Sequence, residues 1–311
     1  MERTFKSPRA EYGKALVELG KINKDIVVMD ADLSCSTQTK MFAKEFPERF
    51  FNVGIAEQDL MATAAGLSTV GKIPFVSTFA MFASGRAWEQ IRNSICYSKL
   101  NVKICATHGG ITVGEDGASH QALEDISLMR SIPNMMVIVP ADGEETKQAV
   151  EFAAQYNGPV YIRIARSELA DIFDASYKFN PEKAVKIKEG KDVTIISNGD
   201  TLVEVIDCGK ILSENGIDAE IIHIPAVKPI DKVTVIESAK KTKKVVTVEN
   251  HSIIGGLGSA VSEVLSENCP TLLKRIGIND EFGQSGKAKD LMAFYGLTAN
   301  KLSETITEFI K

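Results

Sequence analysis

Cysteine is scarce and scattered in this 311-residue chain. There are five, Cys35, Cys96, Cys105, Cys208 and Cys269, an odd number with no Cys-x-x-Cys pair. That spacing argues against a disulfide framework and against a zinc site, and it suits a reducing cytoplasm. Long apolar runs are missing too: no window reaches the roughly 18 to 20 uncharged apolar residues of a membrane span. The N-terminus, MERTFKSPRAEYGKALVELG, is charged where a signal peptide is apolar, so neither export nor a membrane anchor is expected. Positive charge is not in excess: 36 Lys and Arg against 41 Asp and Glu leave −5, without the basic field that non-specific nucleic-acid binding requires.

What remains is an ordinary folded composition, 44% hydrophobic and 25% charged, which excludes disorder and low-complexity architectures. The length suggests two domains. Short runs rich in Val and Ile alternate with stretches at helical spacing, the pattern of an α/β protein with mostly parallel sheets flanked by helices. Strands are expected over 25–30, 50–55, 73–78, 101–107, 135–139 and 159–164, with helices over 10–20, 57–70, 81–97 and 144–156. The rhythm restarts with strands over 192–197, 219–224, 244–249 and 272–276 and helices over 201–215, 258–268 and 299–310, the last capped by Thr298. Residues 167–190 lose periodicity and read as a linker, which divides the chain into domains 1–178 and 179–311.

Two nucleotide-binding patterns are approached and both fail on mechanism. Gly66 to Ile73 has P-loop spacing but places Ile73 where a magnesium-binding hydroxyl belongs, and it passes from helix to strand, the reverse of a P-loop. Gly255-Gly256-Leu257-Gly258 follows a strand, but Val261 stands where a dinucleotide fingerprint needs a small residue. Close strand-to-helix packing explains those glycines better.

Polar chemistry concentrates in Ala106 to Gln121, which begins where a strand ends and holds two of the four histidines. Its glycines admit a ligand close to the backbone, and His108, Asp116 and His120 can transfer protons or recognise hydroxyls. Ligands of open α/β sheets sit beyond the carboxyl ends of strands, where this segment lies. Glu57 heads an apolar helix, so its carboxylate either answers the helix N-terminus or is kept dry for proton transfer. Phe79 and Phe82 share one helical face, as core or as the wall of a flat ligand site. Arg9 and Arg166 would suit a phosphate monoester if the fold joins them.

Phe51-Asn-Val-Gly-Ile-Ala-Glu57-Gln, Ser77-Thr-Phe79-Ala-Met-Phe82, Gly114-Glu-Asp116-Gly-Ala-Ser-His120-Gln121-Ala-Leu-Glu124-Asp125, Pro140-Ala-Asp142-Gly and Phe282-Gly-Gln-Ser285-Gly286 occur in order. Together they resemble the transketolase family, its pyrimidine-binding and C-terminal domains, over essentially the whole chain. The resemblance implies an enzyme that uses thiamine diphosphate to move a two-carbon ketol unit between sugar phosphates, as in the pentose phosphate pathway. It implies that Glu57 hydrogen-bonds the aminopyrimidine, that Phe79 and Phe82 wall it, and that Asp32 contacts the cofactor. His120 matches the histidine beside the reacting carbon and Asp116 the carboxylate for an acceptor hydroxyl. Arg9, Ser36, His108 and Arg166 match the cluster that holds the substrate phosphate. A third aromatic of some members falls at Gly85.

A complete member is about twice as long, as the resemblance implies, and its N-terminal domain binds magnesium or calcium and the diphosphate through a Gly-Asp-Gly motif. No such motif occurs here; Asn198-Gly199-Asp200 continues with Thr201. The resemblance therefore implies the C-terminal subunit of a split transketolase, with no metal ligand of its own and a partner that carries Gly-Asp-Gly. Two such pairs would form a heterotetramer. Rival readings are a deoxyxylulose-phosphate synthase fragment, a 2-oxoacid dehydrogenase β-subunit, disfavoured by the Gly-Glu-Asp-Gly-x-x-His-Gln run, and a non-catalytic assembly subunit.

Overall fold

The computed structural model describes residues 3–311. Its first strands are β1 (Phe5–Lys6), β2 (Ile26–Asp30), β3 (Phe50–Asn52), β4 (Ile73–Phe79), β5 (Lys103–Thr107), β6 (Met136–Ile138), β7 (Val160–Ile164) and β8 (Leu169–Ala170). They are followed by β9 (Val185–Lys188), β10 (Val193–Ser197), β11 (Ala219–His223), β12 (Ala226–Lys228), β13 (Lys244–Ser252) and β14 (Leu272–Ile278). A seven-stranded sheet runs in the order β12-β6-β7-β5-β4-β2-β3 and a five-stranded sheet in the order β14-β13-β10-β11-β9. Within these two sheets every pairing is parallel except those of the edge strands β12 and β9, and β1 and β8 form a separate antiparallel pair. The expected α/β class with mostly parallel sheets is therefore the architecture present.

Continuous apolar sequence explains the central strands. β2 reads IVVMD, and all five residues are buried, as a parallel strand covered on both faces requires. On one face, Tyr12, Leu16, Ala149, Val150 and Ala153 of helices Pro8–Ile22 and Gly143–Gln155 pack against Val28, Phe75 and Ile162. On the other, Met29, Val76 and Tyr161 share one apolar cluster with Ile196, Ile222, Leu257 and Val261. The two sheets thus meet through a common core. Outside the second sheet, helices Leu202–Glu214 and Ala299–Ile310 complete a separate cluster around Val205, Leu212, Leu302 and Ile306.

Four expectations are corrected. The strand expected over 50–55 ends at Asn52, because Gly54 takes φ +74° and turns the chain. The helix expected over 81–97 is interrupted by wide π turns over Phe82–Arg86 and Ile91–Cys96. The linker expected over 167–190 contains β8, which pairs with β1, and β9, which joins the second sheet. Its aperiodic sequence is held by polar anchors instead: Asp142 caps its own helix through Glu145 N at 2.8 Å and also accepts from Ile172 N and Phe173 N at 2.8 and 2.7 Å. Finally, the side chain of Thr298 does not cap the last helix. Glu204 Oε2 does so from another helix, accepting from Ala299 N at 2.7 Å.

Arg163 on β7 is a buried charge. Its Nε donates to Asp125 Oδ2 at 2.9 Å, with side-chain exposures of 6% and 0%. Its Nη2 donates to the carbonyls of Ala122 and Asn250, and Tyr161 donates to the same Asp125 oxygen at 2.8 Å. Asp125→Ala leaves this guanidinium uncompensated in the core and is expected to cost about 3–5 kcal/mol. Urea unfolding of the variant measures it, and a loss below about 1 kcal/mol would exclude Asp125 as the compensating charge.

Candidate functional site

Parallel strands deliver their carboxyl ends to one edge, and the chemistry-bearing residues follow from that. Asp32 and Ser36 lie just beyond β2, Glu57 beyond β3, Phe79 and Phe82 at the end of β4, His108 immediately after β5, and Arg166 two residues after β7. Arg9 reaches the same edge from the first turn of helix Pro8–Ile22, where Ser7 accepts from Ala10 N and Pro8 opens the helix. Its Nη1 donates to the carbonyl of Ser36 at 2.7 Å.

At the centre is a cluster of flat rings. Phe79 and Phe82 stack with centroids 5.9 Å apart, and His108 stacks on Phe79 at 3.8 Å. His120 meets the edge of Phe82 at 5.4 Å. His108 is buried with a left-handed backbone, φ +63°, and its Nδ1 is 2.8 Å from Thr107 Oγ1. Burial first, and then the positive charges of Arg9 and Arg166, push its pKa down to about 3. Arg9 is itself held below its ordinary value, by desolvation and then by Arg166. The two guanidiniums therefore stand close enough to repel, and the buried Nε of Arg9 has no hydrogen-bond partner among the described residues. Two guanidiniums so placed are able to hold an anion, and Arg166 Nη1 also lies 3.9 Å from Glu115 Oε2.

On the other side of Phe82, Glu57 opens helix Glu57–Thr69 and is 8% exposed. With Ile55, Ala56, Gln58, Asp59, Phe82 and Arg86 it lines a cavity of about 620 Å³. A carboxylate lining the same cavity as an aromatic ring fits a protonatable flat heterocycle, so the residues present suit an aminopyrimidine. Gly85 is exposed, and among the described residues Phe82 is the ring that lines this pocket. The remaining candidates lie further out. Asp32 is exposed and exchanges two 3.1 Å hydrogen bonds with Asn52, while Asp116 is exposed on the loop that carries the histidines. Among the described residues, no three His, Cys, Asp or Glu gather as a metal site.

Asp30 was not singled out from the sequence. Fully buried at the end of β2, it accepts from Leu33 N and from the hydroxyls of Thr37 and Thr39, and so folds the loop that presents Ser36 to Arg9. A carboxylate ending an apolar strand is the signal that marks it. The glycines near 256 have a different explanation from a ligand: Glu249 Oε2 and Oε1 accept from Leu257 N and Gly258 N at 2.7 and 2.8 Å, so the chain's own carboxylate occupies that helix N-terminus.

Residues 7–171 match the family model of the transketolase pyrimidine binding domain and residues 182–302 that of the transketolase C-terminal domain. The chain belongs to the transketolase family. A relative provisionally named transketolase C-terminal section, from Methanocaldococcus jannaschii, is 55% identical over 99% of this chain and 97% of its own. The 6-deoxy-6-sulfo-D-fructose transketolase subunit of Clostridium sp. is 41% identical, covering 94% of this chain and 91% of its own. A solved structure described as a split-gene transketolase in an inactive β4 tetramer superposes with a TM-score of 0.91 at 55% identity, covering 98% of both chains. No described helix is long and apolar enough to cross a membrane.

The histidine in this transketolase-family site has a clear pH signature. His108 is expected to stay neutral, with no inflection of its ring resonances between about pH 5 and 8 in an NMR titration. From its ordinary value of 6.5 down to about 3, the unfolded chain takes up a proton that the folded imidazole refuses, so this residue lowers stability as the pH falls through that window. A midpoint near 6.5 in the folded chain would contradict its burial beside two arginines.

Proposed function

We propose that this chain is the C-terminal subunit of a two-chain, thiamine diphosphate-dependent transketolase that transfers a two-carbon ketol unit between sugar phosphates. The observation that carries this reading is the position of His108: its ring stacks on Phe79, which stacks in turn on Phe82 in the lining of the Glu57 cavity, and the charges of Arg9 and Arg166 act on it from close by. One edge of the sheet thus joins a place for a flat cofactor ring to a place for an anion. The split-gene likeness and the match to a transketolase C-terminal section support the two-chain form. The division into domains 1–178 and 179–311 is proposed with it, and falls between the two family matches.

Bound thiamine diphosphate supplies the electron sink that makes a ketol unit transferable. Glu57 holds a proton at the pyrimidine nitrogen, Phe79 and Phe82 wall that ring, and Asp32 contacts the cofactor. His120 hydrogen-bonds the substrate oxygen beside the reacting carbon as charge develops on it. Arg9, Ser36, His108 and Arg166 hold the substrate's terminal phosphate, with two guanidiniums anchoring an anion far from the reacting carbon. Asp116 recognises the acceptor hydroxyl. An N-terminal partner with Gly-Asp-Gly supplies the diphosphate site and the magnesium or calcium ligands, and two such pairs form a cytoplasmic heterotetramer of the pentose phosphate pathway.

Affinity isolation of the tagged chain from its host, followed by assay with thiamine diphosphate and magnesium, tests the reading. A stoichiometric partner and ketol transfer by the complex are expected. Recovery of the chain alone, or of a complex without ketol transfer, counts against it. In the active complex Glu57→Gln is expected to lower kcat at least about 100-fold with the fold retained. Arg166→Ala should raise KM for phosphorylated donors about 10-fold or more and leave kcat nearly unchanged. Equal losses with unphosphorylated donors would remove Arg166 from the anion site.

A further inference from the structure

The second domain contributes none of the candidate residues above, yet its side chains reach into the loop that carries His108 and His120. Asn250, 2% exposed near the end of β13, accepts from Ile111 N through Oδ1 at 2.9 Å and donates through Nδ2 to Asp200 Oδ2 at 2.8 Å and to Thr112 Oγ1 at 3.2 Å. Asp200 Oδ2 also accepts from Thr112 Oγ1 at 2.7 Å. The loop is shaped to admit this amide. Gly110 adopts φ +81°, and a Cβ there would stand 2.4 Å from the Asn250 carboxamide. From behind, Arg163 Nη2 donates to the backbone carbonyl of Asn250 at 3.0 Å and fixes its place. Two further ties flank the clamp: Gln121 Nε2 donates to Gln284 O at 3.0 Å, and Ser285 Oγ donates to Glu115 O at 2.6 Å.

We propose that Asn250 and Asp200 are positioning residues, a cross-domain clamp through which the second domain holds the His108–His120 loop in the conformation that builds the site. Without the clamp the loop's glycines leave many backbone states open. With it, Ile111 N and Thr112 Oγ1 are bound among buried residues, where an unmade hydrogen bond is costly. Its catalytic consequence rests on the ketol-transfer reading above; its structural consequence does not.

Hydrogen exchange on the isolated chain tests the clamp without turnover. Asn250→Ala is expected to speed exchange of the Ile111 amide about 10-fold or more relative to the strand amides of β5, and to move the His108 midpoint upward as water enters the loop. Gly110→Ala, which pushes the amide out, should do the same. Asn250→Asp alone sets two carboxylates together and should also free the loop. Asn250→Asp combined with Asp200→Asn restores one carboxylate and one amide and should return exchange towards the parent rate. In the partner complex, kcat/KM is expected to fall about 10- to 100-fold for Asn250→Ala and to recover in the exchanged pair.

Unchanged Ile111 exchange and an unchanged His108 midpoint in Asn250→Ala would overturn the proposal, as would failure of the exchanged pair to restore them in a folded chain. If Asn250→Ala does not fold, the exchanged pair and Gly110→Ala decide. A parent complex without ketol transfer would defeat the functional reading alone, since the exchange measurements still report on the clamp.

Discussion

The buried guanidinium of Arg163 has to be neutralised where water does little of the work, and much of the site hangs on how this is done. Asp125 supplies the charge, Tyr161 binds the same carboxylate, and the carbonyls of Ala122 and Asn250 accept from Nη2. Those four residues come from a helix, a neighbouring position on the same strand, the far end of the histidine loop and the second domain. One charge therefore fixes the relative places of elements far apart in sequence. His108 and His120 are anchored between this network and the end of β5, which is why a loop rich in glycine presents rings in defined stacking geometry.

Two helix N-termini in the molecule are treated in opposite ways. Near Gly256 the amides are closed by Glu249, whose pKa burial pushes up to about 7 despite those donors. At Glu57 the first residue of the helix faces a cavity, and the preceding Ala56 offers no cap. The glycine-rich segment that looks like a binding motif is internally satisfied, whereas the plain apolar helix headed by a carboxylate is open.

The sequence made the central strands legible because parallel strands buried on both faces must be continuously apolar, as in IVVMD. It made the site legible because a polar residue just after such a strand, or at the head of an apolar helix, has little reason to be there otherwise; His108 and Glu57 were found in that way, and Phe79 by its spacing from Phe82. What stayed hidden depends on contacts between distant residues. The edge strands β9 and β12 are short and mixed in polarity, and their pairing is set by the neighbouring sheet. The segment over 167–190 looks loose because its order comes from Asp142, which lies outside it. Thr298 has the right identity for a cap, but Glu204, 95 positions away in sequence, reaches the amide. Asn250 and Asp200 carried no local signal at all, since their role exists only once the domains meet.

The strand β12 belongs by sequence to the second domain and by hydrogen bonding to the first, where it covers the outer edge of β6. The two family modules are thus not separable building blocks in this chain. Severed near residue 180, the first would display the bare backbone of β6, a template for uncontrolled strand addition between molecules. Evolution can divide an enzyme of this architecture between genes elsewhere, but a cut between these two modules would convert a closed sheet edge into an adhesive one.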